Sequence, residues 1–391
     1  MSTAEPSLLR PRGEEERSKV TFVELFFDLV FVFGITQLSH LLLAHFTFSG
    51  AIETALLLMA VWWVWIYTSW VTNWLDPERV AVRLMLFALM LGGLVLSTSI
   101  PEAFHSRGWA FAGAYVFMQV GRCLFTLWAL KGTSPANYLN FLRITSWLSL
   151  AGVLWLAGAF AEGWTARLAL WTAALLIEYV SPALGFWTPG LGRSTTADWD
   201  ITGSHLAERC GLFIIIALGE SILVTGAKFA ELPWTAPTVA AFGVAFLGTV
   251  AMWWIYFNVG AEHASRRIAR SSDPGRLGRL AYTYMHLPLV AGIVLAAVGD
   301  DLLLTEAAGH GGPGLAAVTL GGAGLYLAGN LMFKRATADR PASSHMMGLA
   351  LLACLAPLSV WLPPLVLGAA TASILVLVAV WETISLRRTA G

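Results

Sequence analysis

The chain has 391 residues, of which 57% are hydrophobic and only 12% charged, and its 24 basic residues balance 24 acidic ones. Soluble domains carry about 25% charged residues, so the composition excludes a soluble globular protein, and the lack of a basic excess leaves nucleic-acid binding without support. A mean hydropathy of +0.69, with 18 Trp and 37 Gly, suits an all-α integral membrane protein with interfacial aromatic belts and closely packed helices.

Residues 1–20 form a polar, mixed-charge segment (Glu14, Glu15, Glu16, Arg17, Lys19) without a signal-peptide pattern, so the first apolar span is expected to stay as an anchor. A hydrocarbon core of ~30 Å needs about 20 apolar residues per helix. On that ruler about twelve transmembrane helices are expected, near 22–44, 51–72, 81–100, 108–130, 139–160, 165–184, 207–228, 236–259, 280–299, 314–333, 345–362 and 364–384. Only Pro363-Pro364 separates the last pair. A cytoplasmic N-terminus puts 21 of the 24 Lys and Arg on the inner side, leaving Arg107, Arg167 and Lys228 outside. That asymmetry satisfies the positive-inside rule and predicts both termini in the cytoplasm of a bacterial plasma-membrane protein. The Ser265–Arg279 loop, with five Arg, is the strongest of these signals.

The spans also correspond in order. Glu24 and Asp28 open span 1, as Glu208 and Arg209 open span 7, and twelve residues on from Glu24 and from Glu208 stand Thr36, followed by Gln37, and Glu220, followed by Ser221. Trp65-Ile66-Tyr67 answers Trp254-Ile255-Tyr256, Gly121-Arg122 answers Gly329-Asn330, and Glu178 answers Glu382. These matches predict two parallel six-helix repeats, 21–185 and 207–386, joined by a cytoplasmic linker 186–206 and ending in a 387–391 tail.

Some of these stretches also resemble a known family. Val20-Thr21-Phe22-Val23-Glu24-Leu25-Phe26-Phe27-Asp28 resembles the opening signature of the bacterial low temperature requirement A family. Asn73-Trp74-Leu75-Asp76-Pro77-Glu78-Arg79, the stretch from His205 to Ser221, and His286-Leu287-Pro288 are similar to further family stretches. The likeness runs from about residue 18 through essentially the whole chain. It implies a multi-pass membrane protein and, from the family's name, a role in growth in the cold; it implies no particular transported species or reaction. Pro77 departs from the pattern, standing where members often have a further polar or acidic residue. Phe27-Asp28 through Thr36 is also similar in layout to the first-helix Phe-Ser-Asp pattern of the endolysosomal potassium channel family, which places that helix at its pore. Here Phe27 stands where that pattern has Ser.

A charge at the middle of a membrane helix costs roughly 2.5–3.5 kcal/mol, so the buried acids and their partners are the candidate site. Glu24 and Asp28 share one helix face; they read as an ion vestibule or as an acid pair neutralised by a neighbouring Arg. Glu220, with Ser221 beside it and Thr36 and Gln37 at matching depth, reads as a proton or cation group or as an interhelical hydrogen bond. His205, Glu208 and Arg209 share a face, but no second His completes a metal set. Arg122 is expected to touch Asp28, Glu24, Glu208 or Glu178. Glu178 and Glu382 are expected to snorkel from inner helix ends, and Asn73, Asn258, His286 and Asn330 are secondary polar positions. Asp300, Asp301 and Glu306 read as an external acidic group with no Lys or Arg nearby.

No P-loop, HExxH or GxSxG motif occurs, and no cofactor is expected. The expected function is a transporter or channel for protons or a monovalent cation, with membrane lipids as surroundings and a homodimer left open. The alternatives are a membrane enzyme acting on lipid or isoprenoid substrates, with Glu24, Asp28, His205 and Glu208 as acid–base groups, and a non-transporting scaffold or cold-response factor.

Overall fold

A computed structural model of the chain describes residues 7–10, 19–196, 199, 201–258, 260–309, 311–337 and 342–390. Arg12, the stretch from Glu14 to Arg17, Asp198, Asp200 and Arg340 lie outside the described residues, as do the side chains of the 387–391 tail. Among the described residues the structure is helical, and its only β pairings are the isolated bridges Leu9–Leu75 and Thr188–Gly192.

Twelve principal helices follow in order: α1 (Phe22–Ala44), α2 (Phe48–Trp74), α3 (Val80–Ser99), α4 (Gly108–Leu130), α5 (Pro135–Phe160), α6 (Trp164–Val180), α7 (Gly203–Glu231), α8 (Ala236–Phe257), α9 (Pro274–Thr305), α10 (Pro313–Thr337), α11 (Ser343–Leu355) and α12 (Pro364–Ala390). A short charged helix, Gly260–Ala269, follows α8 in sequence. Among the described residues ten helices are long and apolar enough to cross a membrane. The expected spans at α6 and α11 are the two shorter helices. The 17 residues of α6 rise about 26 Å, the lower end of the range for a ~30 Å core, and α11 gives way after Leu355 to a single 3-10 turn, Ala356–Leu358.

The chain divides into two compact units. The first comprises Met1–Leu41, Ser49–Arg209 and Ala269–Arg279, so it holds α1 to α6 and the opening turns of α7. Its centre is α2, whose Trp62, Trp63 and Trp65 are fully buried. A helix that is apolar all round is stable only when surrounded, and here aromatic rings surround it. Trp63 stacks on Tyr179 of α6 at 3.9 Å, and the Tyr179 hydroxyl donates to the Met59 carbonyl at 2.9 Å. Trp155 of α5 and Phe111 of α4 close on Trp171 of α6 at 5.2 and 5.5 Å. The outer face is the reverse: Leu84, Phe87, Leu91 and Leu94 of α3 are exposed along one stripe, a face suited to lipid.

Two local devices position the site. Thr21-Phe22-Val23-Glu24 starts α1 with the glutamate half of a capping box: the Thr21 backbone N–H and hydroxyl both donate to Glu24 Oε2 at 2.9 Å, and the Glu24 N–H donates to the Thr21 carbonyl at 3.1 Å. In α4 a π turn at Phe117–Gly121 widens the helix just before Arg122, the kind of local insertion that re-aims side chains.

The second unit comprises Leu42–Phe48, Cys210–Ile268 and Leu280–Gly391. Its tightest contact joins α9 and α10. A Cβ added at Gly292 would lie 2.6 Å from the Tyr326 nitrogen and 2.8 Å from the Gly322 oxygen, so the backbones meet where only glycine fits, as in small-residue membrane interfaces. His286 sits in a ring cluster with Tyr256, Tyr282 and Phe333. One ring nitrogen donates to the Ala281 carbonyl at 2.8 Å and the other accepts from the Tyr256 hydroxyl at 2.7 Å, so it is a satisfied core histidine.

Candidate functional site

Two i, i+4 pairs on two helices build a buried charge cluster in the first unit. Glu24 and Asp28 lie on one face of α1, His205 and Arg209 on one face of α7's first turns, and all four are 0% exposed. His205 Nε2 lies 2.9 Å from Glu24 Oε1, and Arg209 Nη2 donates to Asp28 Oδ1 at 2.7 Å. A diagonal ion pair joins Arg209 Nη1 to Glu24 Oε1 at 3.7 Å.

From the middle of the unit, α2 supplies the surrounding polar groups at a one-turn repeat. Trp65 donates its indole N–H to Asp28 Oδ1 at 2.7 Å, and Ser69 accepts from Arg209 Nη2 at 3.2 Å. Asn73 orients the histidine. Its Oδ1 accepts from the Thr202 N–H at 2.7 Å and its Nδ2 donates to the Thr202 carbonyl at 2.9 Å. That fixes the amide with Nδ2 facing His205 Nδ1 at 3.2 Å. The tautomer with its proton on Nε2 then satisfies both Asn73 and Glu24.

Arg10 closes the cluster from the N-terminal segment. Its own N–H donates to the Trp74 carbonyl at 2.8 Å. Its guanidinium donates to the Thr72 carbonyl and to Glu24 Oε2, each at 2.9 Å.

The two acids differ in how completely they are held. Both Glu24 oxygens are engaged, one by Thr21 and Arg10, the other by His205. Asp28 Oδ2 is buried without a hydrogen-bond partner among the described residues, as are Nε and Nη1 of Arg209. Buried polar atoms in folded proteins nearly always have a partner, so the Asp28–Arg209 pair is the unsatisfied part of the cluster.

A second network lies on the adjoining face of α2. Arg122 donates to Thr68 Oγ1 at 3.0 Å and to the Val64 carbonyl at 3.3 Å, and also to Gln119 Oε1. Its guanidinium lies 5.6 Å from the Tyr67 ring centre. Arg122 was expected against a carboxylate; instead Gln119, brought alongside by the π turn, stands between. Gln119 Nε2 donates to the Tyr115 hydroxyl at 3.2 Å and to Glu178 Oε2 at 3.4 Å. Glu178 does not snorkel. It is buried, accepting from the Tyr115 hydroxyl and, at 3.1 Å, from the Trp155 indole.

The remaining expected positions are dispersed. Glu208 is exposed on α7, one residue out of phase with the buried face, and accepts from the Val20 N–H at 3.3 Å. Thr36 and Gln37 are half-buried further along α1, and the Thr36 hydroxyl donates to the Val32 carbonyl at 3.1 Å. In the second unit Glu220 is half-buried and Ser221 buried. Exposed Asn258 donates to Thr383 at 2.8 Å, and buried Asn330 donates to the Tyr326 carbonyl at 3.4 Å. Glu382 does not snorkel freely either, since it pairs with Lys334. The external acids are also less isolated than expected, because Lys228 lies 3.8 Å from Asp301.

Sequence reasoning missed Arg10, Trp65, Ser69, Tyr115 and Gln119. Gln119 carried a signal, as a lone amide within an apolar span three residues before Arg122. Arg10, in a polar segment without periodicity, carried none.

Comparison with known proteins agrees with the helical architecture. The family model described as bacterial low temperature requirement A protein (LtrA) matches residues 19–380. The chain is 42% identical over 373 residues to uncharacterized protein RA0937 of Rhizobium meliloti (strain 1021), covering 95% of this chain and 91% of that one. No solved structure matches. The chain therefore belongs to the bacterial low temperature requirement A family of multi-pass membrane proteins.

Proposed function

We propose that the protein is a small-ion transporter or channel, carrying protons or a monovalent cation, with Asp28 and Arg209 as its working pair. One observation carries this reading: a fully buried carboxylate bonded through one oxygen only, paired with a guanidinium of which two nitrogens make no hydrogen bond among the described residues. A purely structural pair would satisfy both sides. The free oxygen of Asp28 is a place where a proton or cation can bind without first dismantling the cluster. Glu24 has the structural task of capping α1 and holding His205. In the second unit, half-buried Glu220, with Ser221 beside it, is assigned as a further acid that handles protons or cations.

The reading includes two parallel six-helix repeats and both termini in the cytoplasm. Support for the repeats is at the level of helices: the answering acids each reach the fourth helix of their half, Glu178 of α6 to Tyr115 of α4 and Glu382 of α12 to Lys334 of α10, at non-equivalent positions on it. Purified protein in liposomes with an internal pH dye tests the function. Asp28→Asn is expected to abolish ion-driven pH change while Glu24→Gln lowers protein yield. Flux unchanged in Asp28→Asn removes that residue from the mechanism.

A lipid-directed activity is the second reading, favoured by one feature. A largely apolar groove of about 440 Å³ between α3 and α4 is bordered by Leu84, Phe117, Phe125 and Trp128, with the fully buried Arg122 behind its wall. A lipid retained through purification and lost in Phe117→Ala would support it.

A further inference from the structure

Asp300 is an acid of the second unit that the bonds described above leave unexplained and that lines a cavity. It precedes Asp301 in α9, and successive helical residues point ~100° apart, so the two acids diverge. Asp301 turns to Lys228. Asp300 turns to a cavity of about 40 Å³ walled by α8, α9, α10 and α12. No hydrogen bond or ion pair reaches its carboxylate among the described residues.

The rest of the lining fits a cation. Thr249, Thr319 and Thr371, one from each facing helix, line the same cavity. Thr249 donates its hydroxyl proton to the Ala245 carbonyl at 3.2 Å, and Thr371 donates to the Leu367 carbonyl at 2.9 Å. A hydroxyl that has given its proton away offers only lone pairs. The cavity therefore presents a carboxylate and acceptor oxygens. The space exists because Gly248 is also in the lining, and a Cβ added there would meet nothing within 4 Å.

Charge and size narrow the ligand. A divalent ion typically takes six or more oxygens at fixed distances, with more than one carboxylate when the protein supplies the whole cage. One carboxylate matches a single positive charge and leaves no net charge in a low-dielectric wall. A water molecule needs roughly 10–15 Å³ of such space, so this cavity takes one ion with one or two waters.

We propose that this cavity binds a single monovalent alkali cation through the Asp300 carboxylate and the hydroxyl oxygens of Thr249, Thr319 and Thr371. The site is separate from the Asp28–Arg209 pair, and binding measured in detergent requires no flux through the protein. The two proposals can therefore fail independently.

Thermal unfolding of the purified full chain is compared in NaCl, KCl and choline chloride at equal ionic strength. Sodium or potassium is expected to raise the midpoint in a saturable way relative to choline, whose methyl groups exclude it from the cavity. Asp300→Asn is expected to abolish the difference. Thr371→Val, which removes one oxygen ligand, is expected to weaken the apparent affinity about tenfold. Gly248→Val, which fills the space and removes no ligand, is also expected to abolish it. Equal midpoints in the three salts, or a response unchanged in Asp300→Asn, would overturn the proposal. Should Asp300→Asn not fold, equilibrium binding of radioactive sodium to the wild type and to Gly248→Val decides: one displaceable ion per chain present in the wild type and lost in Gly248→Val supports the site, and no bound ion, or binding unchanged in Gly248→Val, overturns it.

Discussion

Replacing Arg209 with Met tests whether the buried cluster is held by its charges. Asp28 Oδ1 accepts from Arg209 and from Trp65, each at 2.7 Å, and its other oxygen has no partner. Without Arg209, one indole N–H faces a carboxylate that is 0% exposed. Breaking a buried pair by removing one partner typically costs about 3–5 kcal/mol, and Arg209→Met is expected at that level. Asp28→Asn is milder, about 1–3 kcal/mol, because the amide oxygen keeps Trp65 and the guanidinium keeps Glu24 at 3.7 Å. In the double variant neither charge is stranded against the other. Its cost should fall below the sum of the single costs by about 2 kcal/mol or more. Unfolding is read with a thiol-reactive fluorophore, since Cys123 and Cys210 are buried and the exposed Cys354 can be replaced by Ala. Single costs that add within ~0.5 kcal/mol would show that the pair is energetically uncoupled and refute the reasoning.

Three further outcomes follow from the geometry. Glu178→Ala strands the Tyr115 hydroxyl, the Trp155 indole and the Gln119 amide; it should cost about 3 kcal/mol or more, with Glu178→Gln recovering over half in the same unfolding assay. Gly292→Val forces a side chain into the Tyr326 backbone and should cost at least about 1–3 kcal/mol, whereas Gly243→Ala, whose Cβ would meet nothing within 4 Å, should melt like the wild type. Arg10→Ala removes its bonds to Thr72 and Glu24; hydrogen exchange of the Asp76 amide, which donates to the Leu8 carbonyl, should accelerate, and unchanged protection would count against a docked N-terminal segment.

Much of the helical plan was legible because membrane spans write themselves as uninterrupted apolar stretches, and ten of the expected spans match long helices. The i, i+4 spacing of Glu24 with Asp28, and of His205 with Arg209, likewise placed each pair on one face. Phase was harder. Glu208 and Arg209 are neighbours in a mixed polar turn, and only the packing of α7 in the first unit decides that Arg209 goes inward and Glu208 outward. Trp65 and Tyr115 were hidden by their chemistry, since a buried aromatic reads as core whether or not its polar tip holds a carboxylate. Asp300 looked like a loop acid because two adjacent aspartates and Glu306 suggested solvent, yet α9 continues through Thr305. Arg10 reaches the cluster through its backbone bond to Trp74 and the bond of Asp76 to Leu8, a pairing between distant segments that no local periodicity announces.

That pairing has a practical side. Leu8 and Arg10 are stitched by main-chain bonds to Asp76 and Trp74, which holds this short stretch beside Glu24. Removing residues 8–10 would therefore open one side of the buried cluster, so recombinant versions of the protein need to retain them.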